Sequence, residues 1–298
     1  MIATSFGRLL ARRVAMDTPV CFAGVYDAFS ATIAGRYFDG IFVSGYGFAA
    51  SFYGMPDIGL IAWSDMAAFV QRLRIALPSH HLMTDIDDGY GDPDVAAHAA
   101  TAMLRAGTSG IVLEDQKRPR RCGHVDGKQV MDLPDFLIKL RAVRNTVSDL
   151  YLVARTDALG QAEQIRRVLA FEEAGADAVL IDGVTNFHVL REAARELTVP
   201  LMFNQIAGGK SPACSLSELS DLGVRLVNYS TPCLFAAHAA IDAEMHRLRD
   251  HCGTLPTAGV TVPQCNAVLQ DNLRNRDAAA LPVRQSPVLA PIGARGRP

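Results

Sequence analysis

Eight short apolar runs without polar alternation constrain the fold of this 298-residue chain more than any other feature. They fall at residues 20–23, 40–43, 82–85, 110–114, 151–155, 178–182, 200–204 and 225–229. A strand with one wet face alternates polar and apolar side chains, so uninterrupted runs of this length predict strands buried on both faces of a parallel sheet. Between them lie helical patterns at about 28–37, 64–75, 93–106, 133–146, 161–174, 186–197, 215–222 and 233–249. Several open on Ser, Asp or Asn and close on Gly, as Gly107 and Gly175 do before the fourth and sixth runs. Eight strand-helix units in about 250 residues predict an α/β chain folded as a (β/α)8 TIM-type barrel. An open doubly wound sheet is the competing architecture, but Gly45-Tyr46-Gly47 lacks the glycine spacing of a dinucleotide fingerprint.

Residues 1–250 therefore read as a single barrel domain. Six of the fifteen prolines fall in 251–298, which reads as a tail rather than a second core. It offers one short helix near 266–280, and a last segment that is disordered or packed on a partner subunit. With 29 basic and 31 acidic residues the formal charge is −2, which argues against nucleic acid as a partner. No apolar stretch is long enough for a membrane span, and nothing at the N-terminus reads as a signal peptide. Six dispersed cysteines form no zinc or redox pair, and a cytoplasmic location is expected.

Chemistry in a barrel sits at the carboxyl ends of the strands. Those positions here are Ser44, Asp85 with Asp87, Glu114, Arg155, Asp182, Asn204, and Tyr229 with Ser230, a polar set that packing alone does not demand. Asp85, Asp87 and Glu114 would converge on one point, and an all-oxygen cluster suits a hard cation, Mg2+ first and Mn2+ second. Alternatively, Asp85 and Asp88 cap the Gly89-Tyr90-Gly91 turn. Arg155 would clamp a substrate carboxylate or phosphonate; its alternative is an ion pair with Asp157 or a carboxylate of the next strand. Lys117, Arg118, Arg120 and Arg121 crowd the loop before Cys122-Gly123-His124. Their charge would lower the Cys122 pKa and make the thiol a proton donor or acceptor, while Gly123 would let the loop move; a free surface thiol is the alternative. Tyr46 and Tyr90 stand at strand ends where a substrate hydroxyl could be met.

The stretches Asp85-Ile86-Asp87-Asp88-Gly89-Tyr90-Gly91, Glu114-Asp115-Gln116 and Arg121-Cys122-Gly123-His124 resemble the isocitrate lyase and phosphoenolpyruvate mutase superfamily. The similarity spans roughly residues 18–245 and is nearest the 2-methylisocitrate lyase and carboxyphosphonoenolpyruvate phosphonomutase branch. The resemblance implies a barrel whose eighth helix is exchanged between subunits of a homodimer or homotetramer. It implies Mg2+ held mainly through waters by Asp57, Asp85, Asp87 and Glu114, and a substrate carboxylate gripped by Ser44, Gly45 and Arg155. A mobile loop carrying Arg120, Arg121, Gly123 and His124 would cover the substrate. Asp182, Asn204 and Ser230 would face the second product, and Cys122 would protonate the departing carbanion.

The activity so implied is Mg2+-dependent carbon-carbon cleavage of a 2-hydroxy di- or tricarboxylate, of 2-methylisocitrate or 2-alkylmalate type, to a 2-oxo acid and a second carboxylate. The alternatives are a phosphonate-processing enzyme of secondary metabolism and a noncatalytic scaffold. Arg120 stands where close relatives carry lysine, Asp182 where they carry glutamate, and Ala207 where they carry the glutamate of a Thr-Glu-Gly segment. Those departures point to a changed substrate.

Overall fold

A computed structural model describes residues 5–254 and 259–277. Eight parallel strands close into a barrel in sequence order. They are β1 (Val20–Val25), β2 (Gly40–Val43), β3 (His81–Asp85), β4 (Gly110–Glu114), β5 (Tyr151–Thr156), β6 (Ala178–Ile181), β7 (Leu201–Gln205) and β8 (Val224–Tyr229). Closure is made by β1 against β8, with Val20 beside Leu226 and Ala23 beside Tyr229. The missing alternation has its cause in the two cores. Phe22, Phe42, Met83, Val112, Leu180 and Met202 fill the barrel interior, whereas their strand neighbours Ala23, Ile41, Leu82, Ile111, Val179 and Phe203 pack outward under the helices.

A first helix, α1 (Phe6–Val14), was not anticipated from the sequence. Its apolar stripe is short, but Leu10 and Val14 join the interior cluster and close the amino-terminal end of the barrel. The helices that follow are α2 (Ala28–Ala34), α3 (Gly45–Phe48), α4 (Trp63–Ala76), α5 (Pro93–Ala106), α6 (Leu133–Thr146), α7 (Gln161–Glu173), α8 (His188–Glu196), α9 (Leu216–Asp221), α10 (Pro232–Asp250) and α11 (Val262–Asp277). The short α3 is another addition to the expected pattern. Glycines disfavour it, yet the Ser44 side chain accepts from Gly47 N at 3.0 Å and caps it directly after β2. α5 shows both punctuation marks: Asp92 caps it, Pro93 opens it, and Gly107 closes it at φ 93°.

Two helices differ from the rest. The long α10 has no buried side chain within this chain. The last helix begins earlier than expected, at Val262, and lies against α2 and α4 of its own chain, where Asn272 Nδ2 donates to Thr32 Oγ1 at 2.8 Å. The rest of the expected tail, residues 278–298, lies outside the described residues. Among the described residues no helix is long and apolar enough to cross a membrane.

Candidate active site

The carboxyl ends of the strands surround a cavity of about 260 Å³. Ser44 and Tyr46 line it from the end of β2, Asp57 from the following loop, Asp85 from β3, Arg155 from β5 and Asp182 from just past β6. Asn204 of β7, Ser230 after β8, and the loop residues Cys122, Gly123 and His124 complete it. Gly45, Asp87, Glu114 and Arg120 stand behind this wall, whereas the exposed Arg121 turns away from it. Arg121 instead contributes its backbone, whose N–H and C=O both pair with the Gln116 side chain at 3.0 and 2.8 Å. The expectation of a substrate contact through its side chain finds no support in that placement.

Arg120 has a different role from the expected loop cation. It is 1% exposed, and its Nε donates to Glu114 Oε1 at 2.8 Å. Nη1 pairs with Asp57 and lies 3.2 Å from Asp87 Oδ1. The guanidinium thus lies within ion-pair distance of three of the four carboxylates expected around the metal and balances one of their charges. Burial pushes Asp87 well above the usual carboxylate range despite Arg120, and lifts Asp85 in the same way. Glu114 is raised to about 7, again chiefly by burial and against the pull of Arg120 and Arg155.

These residues bear on a cation through what they lack. Both carboxylate oxygens of Asp87 are buried without a hydrogen-bond donor, although one lies near Arg120. Gly45 brings its backbone against the pair: a Cβ there would stand 3.0 Å from Asp85 Oδ2 and 3.3 Å from Asp87 Oδ1. Among the described residues no three His, Cys, Asp or Glu side chains form a cage for a metal. One or two carboxylates completed by water suit Mg2+, which keeps most of its hydration, better than a fully protein-ligated ion. The turn-capping alternative is satisfied at the same time, because Asp85 Oδ1 accepts from Asp87 N and Asp88 Oδ1 from Tyr90 N.

Arg155 is held as its second reading anticipated. Nε and Nη2 pair with Asp157 at 2.9 and 3.0 Å, Nη2 with Asp182 at 2.9 Å, and Nη1 with Glu114 at 3.2 Å. Burial favours a neutral Asp182, but Arg155 and the donors His124 and Asn204 outweigh it and hold the carboxyl below the usual range. Asn204 Nδ2 donates to Asp182 Oδ1 at 3.0 Å while its Oδ1 accepts from Asn228 at 3.2 Å and from Ser230.

Cys122 is half-buried, and its pKa moves opposite to the expectation. Burial pushes the thiol up, and the nearby Asp182 adds to this against the help of Arg155 and a backbone N–H. The basic side chains that were to lower it are engaged elsewhere, Arg120 with carboxylates behind the wall and Arg118 with Asp88 at 2.7–2.8 Å. Gly123 is required for contact rather than for motion: a Cβ there would overlap Asp182 Oδ2 and Arg155 Nη2. His124 Nδ1 accepts from Lys210 N at 2.9 Å, which leaves Nε2, 3.5 Å from Asp182, as the nitrogen that carries a proton.

Several supporting residues had no role assigned from the sequence, Asp115 among them although it stands in the Glu114-Asp115-Gln116 stretch. Lys128 bridges Gly123 O and Asp157 Oδ1 across the loop, and Asn228 lines the cavity with a buried, unpaired Oδ1. Asp115 accepts from Asp157 N, Thr156 Oγ1 and Arg167 Nη1, and so fixes the backbone that carries Arg155. Only Asn228, two residues before Ser230 on an inward strand face, lay within reach of the alternation rule.

Comparison with known proteins agrees with this fold. Residues 10–249 match the family model described as phosphoenolpyruvate phosphomutase. The chain is 34% identical over 256 residues to the petal death protein of Dianthus caryophyllus, covering 83% of this chain and 80% of that one. It is 33% identical over 256 residues to 2-methylisocitrate lyase of Bacillus subtilis, covering 84% and 82%. A solved oxaloacetate acetylhydrolase, in complex with the inhibitor 3,3-difluorooxalacetate, superposes with a TM-score of 0.86 at 33% identity, over 91% of this chain and 96% of that one.

Proposed function

The chain belongs to the phosphoenolpyruvate phosphomutase family, an enzyme family whose named relatives here are lyases and mutases, and from that premise we propose that it cleaves a carbon-carbon bond in a 2-hydroxy carboxylate. The observation that carries this reading is a half-buried thiol, Cys122, on the same small cavity as Asp57 and Asp85, with its pKa pushed up by burial. Transfer of a phosphonyl group between oxygen and carbon leaves no carbanion to protonate, whereas carbon-carbon cleavage leaves one that needs a general acid.

The cavity wall holds Asp57, Asp85 and Asp182 against Arg155 and His124, an unfavourable surface for an anion. Mg2+ held by Asp85 and Asp87, with Asp57 and Glu114 positioned around its waters, would supply positive charge for a 2-oxo acid oxygen and its carboxylate. Ser44, whose hydroxyl proton is free to donate, and the Gly45 backbone would orient that carboxylate. Tyr46 would meet the 2-hydroxyl. The proton of that hydroxyl passes to a carboxylate of the cavity wall other than the one that would hold the cation; the carbon-carbon bond breaks and the new carbonyl forms. The electron pair left on the outgoing carbon takes the proton of Cys122 Sγ. Proton return from the carboxylate through solvent restores the thiol, so the sum is substrate to two carboxylates with nothing consumed. The Arg155-Asp182-His124 group fixes the wall beside the outgoing carbon.

In Cys122→Ser, turnover should fall by about 10²–10⁴, while Mg2+ binding measured by calorimetry stays at the wild-type level. Undiminished carbon-carbon cleavage would remove the thiol from the mechanism. The resemblance also leads us to propose that the working unit is a homodimer or homotetramer, joined through α10.

A further inference from the structure

The side of the cavity built by β7, β8 and the start of α10 differs in character from the side that carries Asp57 and Asp85. That wall is Ile206, Ala207 and Phe235, with Tyr46 edge-on to Phe235 at 6.4 Å between ring centres. Its polar groups are neutral: Thr231, Ser230 and Asn204. Ser230 and Asn204 are already paired with each other and with Asn228.

Among the described residues lining this cavity the only basic side chains are Arg155 and His124. Every nitrogen of Arg155 faces Glu114, Asp157 or Asp182. His124 receives a backbone N–H at Nδ1 and directs Nε2 at Asp182. Lys210, the nearest basic residue in the β7 loop, turns its ammonium to the exposed Asp126. A carboxylate placed against Ile206, Ala207 and Phe235 would shed water on that side and gain no cation, whereas an alkyl group gains from the same transfer.

We propose that this wall selects a substrate whose outgoing fragment is a monocarboxylate bearing an alkyl branch, so that the enzyme takes 3-alkyl-substituted 2-hydroxy dicarboxylates and discriminates against tricarboxylates. The inference rests on the lyase reading for its chemistry and on Ile206, Ala207 and Phe235 for its selectivity. Cleavage of such a substrate breaks the C2–C3 bond, forms the C2 carbonyl and places the thiol proton on C3.

Two probes of nearly equal shape test it: 2-methyl-3-propylmalate, and 2-methylisocitrate, in which the branch ends in a carboxylate. With Mg2+ present, kcat/KM should favour the propyl compound by at least about tenfold. Ala207→Arg should narrow or reverse that ratio by supplying the missing cation. Binding of both probes to Cys122→Ser by calorimetry separates the two claims. Tighter binding of the propyl compound with no cleavage of either by the wild-type enzyme supports the selectivity and overturns the lyase reading. Equal or preferred binding of 2-methylisocitrate, or binding of neither compound, overturns the selectivity itself.

Discussion

At the scale of single residues, the candidate site was legible in kind and misread in detail wherever a through-space neighbour decides the behaviour. Strand-end position identifies Ser44, Asp85, Arg155, Asp182 and Asn204, because a polar side chain closing an apolar run is visible in the sequence, and all five line one cavity. Arg120, Cys122 and Gly123 were located but their physics was not. Four positive charges adjacent in sequence suggest an acidic thiol, yet burial decides its protonation, and the charges that bear on it, Asp182, Arg155 and Asp57, are distant in sequence. Gly123 gives the same lesson, since its lost side chain makes room for an ion pair between β5 and the end of β6. With its pKa raised, Cys122 is protonated at neutral pH and releases its proton only above the ordinary range near 9. Alkylation of Cys122 by iodoacetamide, followed by peptide mass spectrometry, should be slow at pH 7 and rise with a midpoint above 9. A midpoint near 7 would restore the activated-thiolate reading.

At the scale of elements, the apolar runs located all eight strands, because burial on both faces writes an unmixed hydrophobic signal. Helices with ordinary caps were as clear, and α5 and α6 have the expected boundaries. What escaped notice was short or contradicted local propensity: α1, which acts through Leu10 and Val14 at the foot of the barrel, and the glycine-bearing α3. α10 is legible as a helix but not as to where it packs. Over nineteen residues it buries none of its side chains, and it leaves Phe235, Ile241 and Met245 37%, 60% and 53% exposed. Isolated helices draw most of their stability from packing an apolar face, so a face of this length calls for a second copy of the chain. Analytical ultracentrifugation should therefore give a dimer or tetramer at micromolar concentration, and Ile241→Glu with Met245→Glu should weaken it. A monomer with an intact α10 would contradict the exchanged-helix assembly.

For the whole molecule, a net charge of −2 conceals a strong separation of charge. Carboxylates gather where the barrel opens, and the buried Arg120 and Arg155 tie them together from behind and from within. A cluster with this many buried acids is stable as a protein but unfriendly to an anionic substrate until further positive charge arrives. The barrel supplies rigidity for that arrangement, since the charged side chains leave from the ends of β3, β4, β5 and β6 and from loops at the same end, and Arg155 ties three neighbouring units together through Glu114, Asp157 and Asp182. Metal-assisted carbon-carbon cleavage with proton delivery from a thiol requires above all that turnover stop when the cation is removed. Proton NMR of the purified enzyme with 3-alkyl-2-methylmalates, run with Mg2+ and again with EDTA, should show pyruvate and the matching monocarboxylate accumulating only with the metal. Cleavage that persists undiminished in EDTA, or intact substrates in the presence of Mg2+, would contradict it.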